Sequence, residues 1–216
     1  MNKSIVLAAL LLAACSSGPR VPDWQLNAQA AGERAVSAYL EGHSAVADRE
    51  FAQARRQVAS TGQPALVIRI ELLRCAAHLA ALAMEPCSGY EALRADASPA
   101  DEAYARYLTG SASAADAALL PEAQRPVLAA GSEPAAASAA GAIADPLSQL
   151  VAAGALLRAG RATPALVEQA IATASAQGWR RPLLAWLHIA LQRAEQGGDQ
   201  QAAARLRRRI ALASAP

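Results

Sequence analysis

Alanine fills more than a quarter of this chain, 60 of its 216 positions, and this frequency restricts the folds that the chain can adopt. Alanine has the highest helix propensity of all residues. Sheets are rich in β-branched and aromatic residues, whereas aromatic residues make up only 4% of this sequence. Hydrophobic residues make up 54%, which is too many for a disordered polar segment. The sequence therefore predicts an all-α fold.

Glycine and proline divide the alanine-rich sequence at the places where helices begin and end. Proline suits the first turn of a helix, and glycine suits the left-handed residue that follows the last turn. Capping residues precede several prolines, as in Ser98-Pro99, Asp145-Pro146 and Thr163-Pro164. With their capping residues included, the predicted helices cover residues 23–41, 44–60, 64–84, 98–110, 121–130, 145–160, 163–178, 182–197 and 199–213.

Residues 132–143 are mostly alanine and serine with one glycine and one proline, and we interpret them as a linker. They separate an N-terminal helical region at 23–131 from a C-terminal helical region at 144–216. The predicted connections between helices are short, and short connections place consecutive helices side by side and antiparallel. The predicted body is a set of antiparallel helical hairpins, arranged either as an α-solenoid or as a helical bundle.

The spacing of small and large residues in the last two predicted helices resembles the tetratricopeptide repeat family. The family's small, small, small and large positions correspond here to Ala190, Gly197, Ala202 and Leu206, and part of its second helix corresponds to Ala47, Phe51 and Ala54. Most aromatic positions of the family's first helix are missing, and its uniform period of about 34 residues is absent. The resemblance implies stacked helical hairpins, and a generic helical bundle is the alternative.

The first fifteen residues have the pattern of an export signal. Lys3 is the only lysine of the chain, and the apolar run Ile5–Ala14 follows it. Such a run is shorter than the roughly 20 residues that span a bilayer, but it suits the hydrophobic region of a signal peptide. We predict a cleaved signal peptide at residues 1–14.

The apolar run ends in Leu12-Ala13-Ala14-Cys15, an aliphatic residue, two small residues and a cysteine. This order resembles the lipobox of bacterial lipoproteins. The resemblance implies that signal peptidase II cleaves before Cys15, which then carries diacylglycerol and an N-acyl chain such as palmitate. Lipoproteins that are retained in the inner membrane of Gram-negative bacteria often have aspartate after the cysteine, whereas this chain has Ser16. The resemblance therefore implies sorting to the outer membrane, facing the periplasm. Residues 15–22 would form a short tether between the membrane and the helices.

Cys75 and Cys87 remain once Cys15 is assigned to the lipid, and an oxidising compartment favours their pairing. If the helix that holds Cys75 runs to Met84, its end lies about 13 Å from Cys75. A bridge to Cys87 then requires the chain to double back at once. We predict a Cys75–Cys87 disulfide. His78 completes a Cys-x-x-His fragment, but a fourth ligand at suitable spacing is missing, and we predict no metal site.

The sequence lacks the common catalytic motifs. Its three histidines, His43, His78 and His188, lie far apart and have no acidic or nucleophilic residue at motif spacing. No Gly-x-Ser-x-Gly elbow occurs, and cleavage before Cys15 would remove the only lysine, which excludes Schiff-base chemistry. We therefore predict a protein that is not an enzyme and has no cofactor other than the covalent lipid.

Charge is distributed unevenly along the chain. The formal net charge of +2 does not suggest a nucleic-acid partner. Residues 85–133 contain eight acidic residues and three arginines, whereas residues 134–216 contain nine arginines and four acidic residues. Four arginines crowd the last predicted helix: Arg205, Arg207, Arg208 and Arg209. They form either a solvated helix face or a docking patch for lipid phosphates or an acidic protein.

Three functions are compatible with these expectations. The first is a lipid-anchored envelope adaptor or assembly factor that binds a protein through a helical groove. The second is a structural accessory lipoprotein without a separable activity, and the third is an envelope enzyme. An exposed concave surface with apolar and arginine side chains favours the adaptor, and a closed bundle without a groove favours the accessory. A pocket that joins a histidine to carboxylates favours the enzyme.

Overall fold

The structure, a computed structural model, describes residues 21–215. The predicted signal peptide, the lipobox with Cys15 and the tether as far as residue 20 lie outside the described residues. The predicted fold class is confirmed, because residues 21–215 contain helices and no strand. Within this range the eleven α-helices are α1 (Asp23–Glu41), α2 (Ser44–Ala59), α3 (Pro64–Ala80), α4 (Ser88–Glu91), α5 (Pro99–Leu108), α6 (Arg125–Ala129), α7 (Glu133–Gly141), α8 (Pro146–Arg158), α9 (Pro164–Ala176), α10 (Arg180–Gln196) and α11 (Gln200–Ser214). Short 3₁₀ helices lie at Arg94–Asp96, Ala114–Leu119 and Glu122–Gln124.

Most of the long helices begin and end at the predicted signals. Four predicted N-cap residues accept a hydrogen bond from the backbone N–H three residues further on: Ser98, Asp145, Thr163 and Asp199. Each bond satisfies an amide that has no partner within the helix. Glycines with positive φ follow six helices, at Gly42, Gly62, Gly110, Gly160, Gly178 and Gly198. The capping residues and glycines thus stand at the helix ends that the sequence predicts for them.

Helix α3 ends four residues before its predicted end, because Leu82 adopts a left-handed conformation with φ of 58°. The amide of Leu82 donates to the carbonyl of Leu79 over 2.8 Å, and the amide of Ala83 donates to that of His78 over 3.0 Å. These two bonds form a Schellman motif, in which glycine is usual. A left-handed conformation costs a leucine about 1–2 kcal/mol. The turn directs the chain back along α3.

The prediction of a linker at residues 132–143 is wrong, because most of this segment forms α7. Ser132 caps the helix by accepting the amide of Ala135, and proline occupies the first turn. Ala136 and Ala140 are buried where α7 packs against α8 and α9. Small residues suggested a flexible connection, but alanine favours a helix, and its small side chain fits between closely packed helices.

The two predicted helical regions share one hydrophobic core. Helices α1 and α2 form one hairpin and α10 and α11 another, as expected for short connections. Helix α3 packs against α8, and α1 packs against α10, although each pair is far apart in the sequence. Modules of an open repeat array contact only their chain neighbours. The packing therefore favours the helical bundle over the open α-solenoid.

Helices α3 and α8 approach each other closely at Gly154, on α8. A β-carbon at this position would lie 2.7 Å from the backbone oxygen of Leu79, on α3. Gly32 provides a contrast, because it also lies within a helix but a β-carbon there would meet only a methyl group of Leu73, at 3.4 Å. The glycine at position 154 is required by the helix crossing, whereas that at position 32 is not.

We expect Gly154→Ala to lower the free energy of unfolding by about 1–3 kcal/mol, because the added methyl group pushes α8 away from α3. The matched variant Gly32→Ala should raise this free energy by up to about 1 kcal/mol, through better helix propensity alone. Urea unfolding followed by circular dichroism measures both effects. An increase in stability for both variants would contradict the close crossing.

Candidate functional site

Cys75 and Cys87 lie at disulfide distance, with their Cα atoms 5.8 Å apart. Cys75 belongs to α3, and Cys87 immediately precedes α4. The left-handed turn at Leu82 allows the chain to double back within the 12 positions that separate the two cysteines. Both side chains are half-buried against the hydrophobic core. The pairing predicted from the sequence is therefore geometrically possible.

Four side chains next to this pair form a row that connects α10, α1, α3 and the loop 81–87. The guanidinium of Arg181 lies over the ring of Tyr39, 4.2 Å from its centroid. The ring of Tyr39 stacks on that of His78, with centroids 4.3 Å apart and planes 9° apart. Nδ1 of His78 lies 3.4 Å from Oε2 of Glu85. We call these four residues the Arg181–Glu85 row.

The surroundings of the row control the charge on its imidazole. Burial lowers the pKa of His78, the positive charge of Arg74 lowers it further, and Glu85 partly opposes both effects. His78 is therefore neutral near pH 7. Burial raises the pKa of Tyr39, so its phenol stays protonated. Arg181 also donates to the backbone oxygen of Tyr39 over 2.6 Å, which fixes α10 against α1.

A cleft of about 380 Å³ lies beside the row, between the C-terminal end of α3, the loop 81–87, α4, α5 and the C-terminal end of α8. Its apolar wall consists of Leu79, Ala105 and Leu108. Three glutamates and three arginines also line it: Glu85, Glu91, Glu102, Arg94, Arg106 and Arg158. The cleft thus joins a histidine to carboxylates and contains arginines of the opposite charge.

Two of the three arginines in the cleft have acidic partners. Arg106 contacts Asp116 at 2.5 Å and Glu102 at 3.6 Å. The hydrogen bond from Arg106 holds the pKa of Asp116 at about 2, so this carboxylate stays ionised. Arg94 lies 3.7 Å from Glu91. For the half-buried Arg158, by contrast, no hydrogen bond or ion pair of the side chain occurs within residues 21–215.

The predicted arginine patch lies on α11, and three of its four members share a face. Arg205, Arg208 and Arg209 are exposed at helical spacing, and Leu212 continues that face with 79% of its surface exposed. Arg207 points away from this face and pairs with Glu195 of α10. We call Arg205, Arg208, Arg209 and Leu212 the α11 face.

An apolar groove of about 470 Å³ runs along α1 on another part of the surface. Side chains of Val36, Leu73, Leu147 and Trp179 line it. The groove and the α11 face have no residue in common. The groove and the α11 face are therefore separate surfaces. They do not together form the single concave surface with apolar and arginine side chains that the sequence hypothesis described.

The structure brings together residues that sequence reasoning did not connect. Arg181 and Tyr39 are 142 positions apart, and no local motif relates them. The position of Arg158 at the end of α8 was predictable, but its lack of an acidic partner was not. Of the three histidines only His78 belongs to the cleft, since His43 is exposed in the turn before α2 and His188 lies within α10.

Within residues 21–215, no group of three or more histidine, cysteine, aspartate or glutamate side chains is arranged to hold a metal ion. Among the described helices, none combines the length and the apolar content that crossing a bilayer requires. No model of a known protein family matches the chain, and no similar curated protein or solved structure is found.

Proposed function

We propose that this protein is a lipid-anchored adaptor of the bacterial cell envelope that binds an acidic protein through the α11 face. The observation that carries this proposal is the cluster of Arg205, Arg208 and Arg209 around the exposed Leu212. A partner whose carboxylates pair with the arginines would bury the leucine at the same time. Arginine is enriched at the centres of protein interfaces, where buried side chains contribute most of the binding energy.

The arginines of the α11 face can form paired hydrogen bonds with the carboxylates of an acidic protein. Every positively charged side chain after Lys3 is an arginine. The planar guanidinium forms paired hydrogen bonds with a carboxylate, whereas a lysine ammonium acts as a point charge. The packing of α11 also fits this role, because its main neighbour among the described helices is α10 and the residues of the α11 face are exposed. Together with the exposed Leu212, these arginines fit an acidic protein surface as the partner.

The lipobox supports an anchor on Cys15, close to the folded body. The tether from Cys15 to the start of α1 at Asp23 is eight residues long. It therefore spans at most about 28 Å when fully extended. This length keeps the folded body close to the membrane surface. We propose that the partner is an envelope protein at the same membrane leaflet. The expected location is the outer membrane, on the side that faces the periplasm.

The anchor is tested by metabolic labelling with a clickable fatty acid in the cells that produce the protein. The wild-type chain should be labelled, and Cys15→Ala should not be. A variant with Cys75→Ala and Cys87→Ala is the matched control and should keep its label, because it retains the lipobox cysteine. Equal labelling of wild type and Cys15→Ala would contradict the anchor.

The docking surface is tested with a photo-reactive benzoylphenylalanine in place of Leu212 in the full-length protein, illuminated in intact cells. We expect one discrete, protease-sensitive adduct with an acidic envelope protein. Substituting glutamine for Arg205, Arg208 and Arg209 should reduce this adduct severalfold, because the paired carboxylates lose their partners. The matched control substitutes glutamine for three exposed arginines outside the α11 face: Arg49, Arg56 and Arg69.

The control variant has the same net charge as the test variant and should give the adduct of the wild-type protein. Three results would contradict the proposal: an adduct that forms equally in both variants, an adduct with phospholipid alone, and an adduct with a second copy of this chain. Absence of any adduct would favour a structural accessory role instead.

An envelope enzyme is the second candidate, and one observation favours it. The cleft joins the neutral imidazole of His78 to Glu85, which is a pairing that general acid–base catalysis can use. The same imidazole is stacked on Tyr39, and this contact also explains its position as part of the core packing. The adaptor is therefore the function that we place first.

A further inference from the structure

We infer that the cleft beside α3 binds a small organic monocarboxylate, whose negative charge pairs with the guanidinium of Arg158. This inference does not depend on the proposed adaptor function, because the cleft and the α11 face have no residue in common. The ligand class follows from the charge, the lining and the size of the cleft.

The first observation is the charge of Arg158. This residue ends α8, and its half-buried side chain lines the cleft. The other two arginines of the cleft have carboxylate partners, whereas Arg158 has none within residues 21–215. A cation that is partly withdrawn from water loses hydration, and an anion with paired hydrogen bonds restores the lost interactions. Arg158 therefore provides one guanidinium without an ion-pair partner among the described residues.

The second observation is that the cleft disfavours a ligand with more than one negative charge. Glu85 also lines it, facing the neutral imidazole of His78 rather than an arginine, and its carboxylate would repel the second charge of a phosphate or a dicarboxylate. The pKa of His78 is lowered, so its imidazole adds no second positive charge near pH 7. One unpaired guanidinium beside the carboxylate of Glu85 fits a ligand with a single negative charge better than one with two.

The third observation is the apolar wall, which requires a ligand with a hydrocarbon part. Leu79, Ala105 and Leu108 line the cleft on the side of α3 and α5. The volume of about 380 Å³ falls in the range of about 300–1,000 Å³ that is usual for small-molecule sites. A carboxylate attached to an apolar body can therefore contact Arg158 and the wall together.

Saturation-transfer NMR with the full-length protein in detergent micelles tests the inference. The probes are benzoate, hexanoate and N-acetyl-L-phenylalanine, each compared with its uncharged amide, and the signals of micelles without protein are subtracted. At least one carboxylate should bind saturably, with its amide binding about tenfold more weakly, because the amide cannot form the ion pair. This comparison uses the wild-type protein and is independent of how any variant folds.

Two variants complete the experiment. Arg158→Met keeps the length of the side chain but removes its charge, and it should weaken carboxylate binding about tenfold. Arg49→Met, on the exposed surface of α2, removes the same charge away from the cleft and should bind as the wild type does. Four results would overturn the inference: no saturable binding of any carboxylate, equal binding of acid and amide, full binding by Arg158→Met, or inorganic phosphate binding as tightly as the carboxylates.

Discussion

Replacing Trp186 by alanine is expected to lower the free energy of unfolding by about 3–5 kcal/mol. The side chain is fully buried, with 0% of its surface exposed, and it lies at the contact between α10 and the end of α3. Its indole Nε1 donates to the backbone oxygen of Ala80 over 3.1 Å. The substitution removes a large apolar volume and also leaves a buried carbonyl without its donor, so both losses add to the effect.

Trp24→Ala is the matched control for this prediction. Trp24 is half-buried and packs against a small cluster that includes Ala28, Val58 and Val67. Its removal exposes this cluster to water but opens no internal cavity, and the loss of stability should be clearly smaller. Chemical denaturation of both variants, followed by circular dichroism, measures the difference. Equal losses would show that the contact at Ala80 does not hold the two halves of the fold together.

Removing the predicted disulfide with Cys75→Ser and Cys87→Ser is expected to lower the free energy of unfolding by about 3 kcal/mol. The bridge would close a loop of 12 positions and so restrict the unfolded chain. In the folded protein it would also hold the loop 81–87 on α3, where Glu85 reaches His78. Mass spectrometry of the unreduced wild-type protein should first show the two cysteine peptides linked.

A reducing agent provides the control for the disulfide prediction. Reduced wild-type protein should unfold at the same denaturant concentration as the double serine variant, and the reducing agent should not change the variant. If reduction leaves the wild-type midpoint unchanged, or if both thiols can be alkylated without prior reduction, the two cysteines are not bridged in the folded protein.

Much of the fold could be predicted because helix ends have local chemical signals. Asp145 before a proline starts α8, and Gly160 terminates it, so a short stretch of sequence is sufficient for each boundary. The same reasoning placed the start of α3 correctly and its end wrongly. Leu82 takes the left-handed position that the other helices give to glycine, and tertiary packing rather than propensity has to support it.

The linker prediction failed for a related reason. A segment of alanine and serine with one proline and one glycine has the composition of a flexible connection. The decisive facts are the cap by Ser132 and the burial of Ala136 and Ala140, and burial depends on the neighbouring helices. Alanine in this chain is a core residue as well as a helix former, so composition alone could not distinguish a linker from a buried helix.

Less of the candidate site could be predicted, because it depends on residues that are distant in the sequence. The cysteine pair follows from counting and from the expected compartment. The stacking of Arg181 on Tyr39 has no sequence signal, since it requires α10 to pack against α1. The lack of an ion-pair partner for Arg158 is harder still to predict. It becomes visible only when the partners of Arg94 and Arg106 are known.

The left-handed turn at Leu82 places several separate interactions under the control of one short segment. The carbonyl of Ala80 accepts a hydrogen bond from the indole N–H of Trp186. Glu85 contacts His78, and Cys87 lies within disulfide distance of Cys75. We expect residues 80–87 to open as one unit in native-state hydrogen exchange, with the contacts at Ala80 and Glu85 lost together while the predicted disulfide stays closed. The backbone strain at Leu82 would be released by that opening. We therefore expect one local opening to change both the access to the cleft and the contact between α3 and α10.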